Sequence, residues 1–235
     1  MKRRVGILGG TFDPIHCGHL DLAAAVQQGV GLTSLLVIPA NIPPHRPTPS
    51  ASSFHRFAMT AIAVAARPGW QASDLELVQP SPSYTDATLT RLHRDGFSAS
   101  DLYFVIGADA FADIRSWKNY PAILDRTNFA VVSRPGSPVQ ALRQRLPELA
   151  VRMKEPPGRE QIQGVSIFLI DAPTADVSST AIRQRRQAGQ TITGLVPPGV
   201  EQHIEQHGLY RSISPDTPHD QRPMDPAAGR LHGQS

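Results

Sequence analysis

The stretch Gly9-Gly10-Thr11-Phe12-Asp13-Pro14-Ile15-His16-Cys17-Gly18-His19 gathers two adjacent glycines, two histidines three apart and the only cysteine of the chain. Residues 5–8 before it are apolar and read as a strand, and residues 18–28 after it read as a helix. A strand end facing a helix N-terminus is where an open α/β sheet binds phosphate, because the first N–H groups of the helix lack intrahelical partners. The glycines let backbone approach a ligand. The histidine spacing puts both rings on one side of the helix start, and N–H groups near Gly18 and His19 are expected to face an anion. Neither G-x-x-x-x-G-K-[ST] nor G-x-G-x-x-G occurs at this position. Taken alone, His16 and His19 would serve equally as capping or packing residues. With Cys17 they would also suit zinc, although no partner pair of Cys or His stands at a fitting spacing.

A second stretch, Val177-Ser178-Ser179-Thr180-Ala181-Ile182-Arg183, has the same kind of chemistry. Three hydroxyl residues before an amphipathic run are good N-cap residues, and their hydroxyls and adjacent N–H groups can hold a phosphate. Arg183 lies about one turn further in and is a permanent cation. An ordinary helix start with a solvated arginine is the plainer alternative. Arg134, in Ser133-Arg134-Pro135-Gly136, follows an apolar run and adds a possible cation beside the phosphates.

These residues need a scaffold. Short apolar runs alternate with amphipathic stretches, as in repeated β-α units. Strands are expected at residues 5–8, 35–38, 75–78, 102–106, 129–132 and 167–170. Helices are expected at 18–28, 54–66, 85–94, 139–152, 179–187 and 200–207. This alternation implies an open α/β sheet with right-handed crossovers. Residues 39–53 hold five prolines and are expected to form a long exposed loop, the kind that is often functional.

The 235 residues fit one domain or two small ones. Aromatic residues make up only 6%, so the core is aliphatic, which suits a sheet covered on both faces. A single cysteine argues against a stapled secreted scaffold and for a reducing, cytoplasmic setting. Thr11-Phe12-Asp13-Pro14 interrupts the apolar start too early for a signal peptide. Residues 22–44 lack charge but are too broken for a membrane span. The net charge of +3 comes without a long basic block, so nucleic acid is not an expected partner. An RNA role through Arg183, Arg185 and Arg186 is the weaker alternative. Residues 211–235 carry four prolines and few apolar side chains, and are expected to be a tail that does not pack onto a domain spanning 1–210.

The two stretches together resemble the G-G-x-F-x-P-x-H-x-G-H and S-S-T-x-I-R signatures of the nucleotidyltransferase superfamily. The middle of the chain is similar to bacterial-type nicotinate-nucleotide adenylyltransferases over about residues 3 to 210. The similarity rests on Pro43-Pro44-His45-Arg46, Pro82-Ser83-Tyr84-Thr85, Ile106-Gly107-Ala108-Asp109, Trp117 and Gly208-Leu209-Tyr210. Cys17 and Val78-Gln79 depart from the pattern, and residues 140–164 carry no transferable motif.

The resemblance implies a Rossmann-like, doubly wound, mostly parallel sheet with helices on both faces. It implies AMP transfer from ATP to nicotinate mononucleotide, with catalysis by His16, His19 and Arg183. ATP would be bound by these and by Gly10, Thr11, Phe12, Gly107, Asp109, Ser179 and Thr180. The acceptor would meet His45, Arg46, Tyr84, Thr85, Trp117 and Arg134. Trp117 suits a stacked pyridine ring, and the Tyr84-Thr85 segment suits a carboxylate, which accepts only, better than an amide. Mg²⁺ is expected with ATP, carried on the phosphates without an assigned protein ligand.

Overall fold

The computed structural model describes residues 3–44, 47–78, 81–158 and 164–212. Seven strands form one sheet: β1 (Val5–Gly10), β2 (Ser34–Pro39), β3 (Trp70–Ala72), β4 (Leu102–Gly107), β5 (Asn128–Val132), β6 (Met153–Lys154) and β7 (Ile167–Ile170), in the order β3-β2-β1-β4-β5-β7-β6. Every pairing is parallel. Among the described residues, seven α-helices connect or flank the strands: α1 (Cys17–Val30), α2 (Ser53–Val64), α3 (Thr85–Arg94), α4 (Ala108–Phe111), α5 (Leu142–Arg145), α6 (Ser179–Gln187) and α7 (Pro198–Gln206).

Strand side chains alternate between two cores. Tyr103, Val105, Ala130, Val132, Phe168 and Ile170 face α1, α2, α6 and α7. Phe104, Ile106, Phe129, Val131, Ile167 and Leu169 face α3, α4 and α5. Both faces are therefore covered, and the sheet is doubly wound as expected. From β1 the chain proceeds outward to β2 and β3, then returns to β4 and proceeds the other way. The carboxyl ends of β1 and β4 thus flank the topological switch point, where such sheets open a ligand crevice.

Three local expectations are corrected. Residues 75–78 form a turn rather than a strand: the Leu77 and Val78 N–H groups both donate to Asp74 O, at 2.8 and 3.3 Å, and Leu75 N–H donates to Ser73 Oγ. The edge strand lies earlier, at β3. The expected helix at 139–152 is broken into two 3₁₀ segments around the one-turn α5, because Pro147 disfavours helical backbone at Leu146, which adopts φ −128° and ψ 64°. The second helix begins at Ser53, where Ser52 Oγ accepts from His55 N–H at 3.3 Å. In the proline-rich loop, His45 and Arg46 lie outside the described residues, as does the tail from residue 213 onward.

Candidate active site

The backbone leaves β1 through Phe12, whose φ of 50° turns the chain sharply toward α1. His16 is the N-cap of α1 and His19 sits one turn in. Their rings stack at 3.7 Å between centroids with a 25° tilt, and His19 Nδ1 accepts from His16 N–H at 3.3 Å. Phe12 meets His19 edge-on at 5.0 Å. The two histidines differ in setting. His19 lines the open cleft, whereas His16 is only 2% exposed and its Nδ1 has no partner among the described residues. Burial, reinforced by the Arg134 guanidinium, holds the pKa of His16 down to about 4. His16 is therefore a neutral imidazole at physiological pH.

The N-terminal N–H groups of α1 are used differently from the sequence expectation. His19 N–H donates to His16 O at 3.0 Å and Cys17 N–H to Leu195 O at 2.9 Å. Neither bond takes up Gly18 N–H. The Cys17 thiol contacts Gly194 O at 3.5 Å, and burial pushes its pKa up.

Two glycines make room for Arg134. A Cβ at Gly18 would stand 3.1 Å from Arg134 Nη1 and 3.0 Å from Ala175 O. A Cβ at Gly107 would stand 3.0 Å from Arg134 Cγ and 2.5 Å from Asp109 Oδ1. Arg134 thus reaches from the end of β5 across the mouth of β4 to the start of α1, and its cation lies near His16. The sequence suggested this residue on position alone, and the fold brings it in.

A cleft of about 370 Å³ opens here. It is lined by Gly10, Thr11, Phe12 and His19 from the β1–α1 turn, by Ser179 at the start of α6, by Gly107, Asp109 and Arg134 near the end of β4, and by Thr85 and Trp117. Trp117 is half-buried and packs edge-on against Phe104 at 5.7 Å. Thr85 is the first residue of α3, so its N–H is one of those a helix leaves unpaired. Tyr84 is not among the lining residues. Its N–H donates to Pro82 O at 2.9 Å, the Lys118 ammonium lies 4.7 Å from its ring centroid, and the residue lines a small neighbouring pocket. The proline loop is joined to this segment through Ser83 N–H to Ile42 O at 2.9 Å and Asn41 N–H to Ser83 Oγ at 2.8 Å.

Arg183 and Thr180 lie beside the cleft, tied to its frame. Arg183 Nη1 donates to Asp13 O at 2.7 Å and approaches Asp13 Oδ2 at 3.7 Å, while Nη2 reaches Thr180 Oγ1 at 3.4 Å. Ser179 Oγ donates to Pro14 O at 2.9 Å, and Ser178 caps α6 by accepting from Ala181 N–H. The other two arginines of the basic cluster are engaged locally. Arg185 Nε donates to Thr191 O, and Arg186 lies 3.7 Å from Glu205.

Sequence reasoning quoted Asp13 and Tyr210 within motifs without pairing them, and it missed Arg56 and Glu76. Asp13 is 3% exposed. Its carboxylate accepts from Ser50 N–H at 2.7 Å, Ala51 N–H at 3.0 Å and Tyr210 O–H at 2.8 Å. Arg56, 2% exposed on α2, donates to Thr11 O at 2.8 Å and Ala40 O at 2.6 Å. An arginine on the buried face of an apolar helix was the available signal, since such a residue is almost never unpaired. Glu76, in the misread 75–78 segment, also lines the cleft. It accepts from Thr88 Oγ1 at 2.5 Å, and burial raises its pKa.

This fold and crevice define a nucleotidyltransferase of the cytidylyltransferase-like class, whose family model matches residues 7–185. Two curated relatives narrow it. The chain is 38% identical over 210 residues to a Yersinia pestis (strain Pestoides F) protein named "Probable nicotinate-nucleotide adenylyltransferase", covering 87% of this chain and 94% of the relative. It is 42% identical over 212 residues to the protein of that name from Roseiflexus sp. (strain RS-1), covering 88% and 98%. The chain belongs to the nicotinate-nucleotide adenylyltransferase family. Solved structures of the Plasmodium falciparum nicotinic acid mononucleotide adenylyltransferase, complexed with APC and with NaAD, share its fold at TM-scores of 0.65 and 0.66. In both, 18% of residues are identical, with 88% of this chain and 97% of the other covered.

Proposed function

We propose that this chain transfers the AMP group of ATP to nicotinate mononucleotide, releasing pyrophosphate and forming nicotinate adenine dinucleotide for NAD biosynthesis. The observation that carries the reading is a single crevice lined by two chemically different sets of groups. His19, Ser179 and Arg134 suit phosphate, and Trp117 and Thr85 offer an aromatic ring and a helix N–H.

The attacking group is the phosphate monoester of the acceptor. Its second pKa is about 6, so it is mostly dianionic at neutral pH and needs no general base. Its oxygen bonds to the α-phosphorus of ATP, the α–β bridging bond breaks, and pyrophosphate leaves with the electron pair. Positioning two anions in line and balancing charge on the departing group are then the main tasks.

We assign His19 to the α-phosphate from the cleft wall. His16, held neutral and buried, supports it through the stacked ring pair. Arg134 and Arg183 supply permanent positive charge, and Ser179 and Thr180 supply hydroxyls for the β- and γ-phosphates. Gly10, Thr11, Phe12, Gly107 and Asp109 fit the nucleotide, and Thr85 and Trp117 fit the carboxylate and ring of the acceptor. Mg²⁺ belongs to this reading as a companion of ATP. Asp13 is not offered as its ligand, because both of its oxygens are already committed to protein donors. Cytoplasmic residence also belongs here. It is supported by the single cysteine, and no helix among the described residues is long and apolar enough to cross a membrane.

The test is pyrophosphate release with ATP and, in parallel, nicotinate mononucleotide, nicotinamide mononucleotide and phosphopantetheine. A preference of at least about tenfold for the nicotinate nucleotide is expected, since a dry site built for an acceptor-only group leaves an amide's donors unpaired. A smaller preference overturns the acceptor assignment, and no release with any acceptor overturns the enzyme.

A further inference from the structure

Three histidines with no part in the cleft converge where α2 meets α7. His203, on α7, and His207, its C-cap, are four residues apart and therefore share a face. His55 comes from the first turn of α2. His55 Nδ1 stands 3.1 Å from His203 Nε2. The ring centroids of the three pairs are 5.3, 4.9 and 4.4 Å apart, and one ligand-capable nitrogen from each ring lies within 4.8 Å of the other two. No other His, Cys, Asp and Glu grouping among the described residues meets this description.

Simple packing does not account for this arrangement. Three imidazoles brought together repel one another when protonated, and an aliphatic trio would fill the same space without that cost. The single hydrogen bond between His55 and His203 leaves His207 outside it. In a tetrahedral zinc site with Zn–N of 2.0–2.1 Å, neighbouring nitrogens stand about 3.3 Å apart. The His55–His203 pair is already near that separation. The longer distances close by side-chain rotation, most freely at the exposed His207.

We propose that His55, His203 and His207 form a binding site for a divalent transition-metal cation of the zinc type, with the fourth position open to solvent beside His207. Three imidazoles without a carboxylate select such an ion over Mg²⁺ or Ca²⁺, which take oxygen ligands. The site is thus separate from any magnesium that arrives with ATP. Its occupation clamps α7 to α2. The residue after His55 is Arg56, which holds Thr11 O and Ala40 O, and α7 leads directly to Tyr210, which bonds Asp13.

The test uses full-length, tag-free protein stripped with chelator. Zn²⁺ titrated against a chromophoric competitor is expected to bind one equivalent per chain and to raise Tm. Co²⁺ in its place is expected to give the visible absorption bands of a tetrahedral site. His207→Ala, at an exposed position that leaves the core intact, is expected to weaken Zn²⁺ binding at least about tenfold and to abolish the rise in Tm. His55→Ala and His203→Ala are expected to do the same, provided their circular dichroism matches the wild type. Absence of a stoichiometric Zn²⁺ site overturns the proposal. So does binding that persists unchanged in His207→Ala or in the triple variant, since the metal would then be held by other histidines.

Discussion

His16 offers the most quantitative test of how this site is built. Its imidazole is buried beside a permanent cation, and its pKa falls from 6.5 to about 4. Between those values the unfolded chain binds a proton that the folded chain refuses, so stability falls as pH drops through that window. The contribution is fully present above pH 6.5 and bottoms out below pH 4. Between pH 7.5 and pH 4.5 the linkage relation gives a loss of about 2–3 kcal/mol from this one group. Carboxylates and His203 titrate as well, so the wild type alone cannot isolate the effect. His16→Gln keeps a polar side chain there but cannot be charged. Urea unfolding followed by far-UV circular dichroism, at both pH values for both proteins, extracts the difference of differences. The wild type is expected to lose about 2–3 kcal/mol more than the variant. Equal losses, within the 10–15% or so of extrapolation error, would mean that His16 titrates as an exposed histidine, and the neutral assignment would be refuted.

Further expectations concern the cleft and its frame. His19→Ala should lower kcat by ~10²-fold or more in a pyrophosphate-release assay, the scale for removing a preorganised donor to developing charge; near wild-type kcat would remove His19 from the chemistry. Gly107→Ala should displace Arg134 or Asp109, because the new Cβ meets them at 3.0 and 2.5 Å. A roughly tenfold fall in kcat/KM for ATP, or about 1.4 kcal/mol, with an unchanged circular dichroism spectrum, is the expected reading. Tyr210→Phe removes one donor from the buried Asp13 carboxylate and should cost about 1–3 kcal/mol in urea unfolding, and no cost would deny that bond a part in the frame. Trp117→Ala should raise KM for nicotinate mononucleotide about three- to tenfold, as loss of one aromatic stacking partner implies, while leaving KM for ATP nearly unchanged.

The central sheet was legible because its strands are buried on both faces and therefore run apolar without interruption, as Leu102–Gly107 does. The edge strands were not. Trp70–Ala72 and Met153–Lys154 are three and two residues long, too short to show a period. Residues 75–78 carried the apolar residues of a strand, but Ser73 and Asp74 fold them into a turn. The same contrast holds for the site. The β1–α1 turn and the start of α6 concentrate their chemistry in contiguous residues, so their motifs announce a phosphate site. The partners that immobilise them do not: Asp13 meets Ser50 and Ala51 at separations of 37 and 38 residues, Arg183 at 170 and Tyr210 at 197. Only the folded chain reveals such pairings.

Those long separations have a consequence for how the protein comes into being. A ribosome releases the chain from its N-terminus, so His19, Arg134 and Trp117 all emerge well before Tyr210. Asp13 can take up the Ser50 and Ala51 N–H groups early, whereas its bonds to Arg183 and Tyr210 close only after nearly the whole domain has been made. Tyr210 works like a latch closed at the end of assembly. Closing loops of that span is slow compared with forming local helices, so a nascent or C-terminally shortened chain would own most of the residues of the crevice and lack the Tyr210 bond to its first turn.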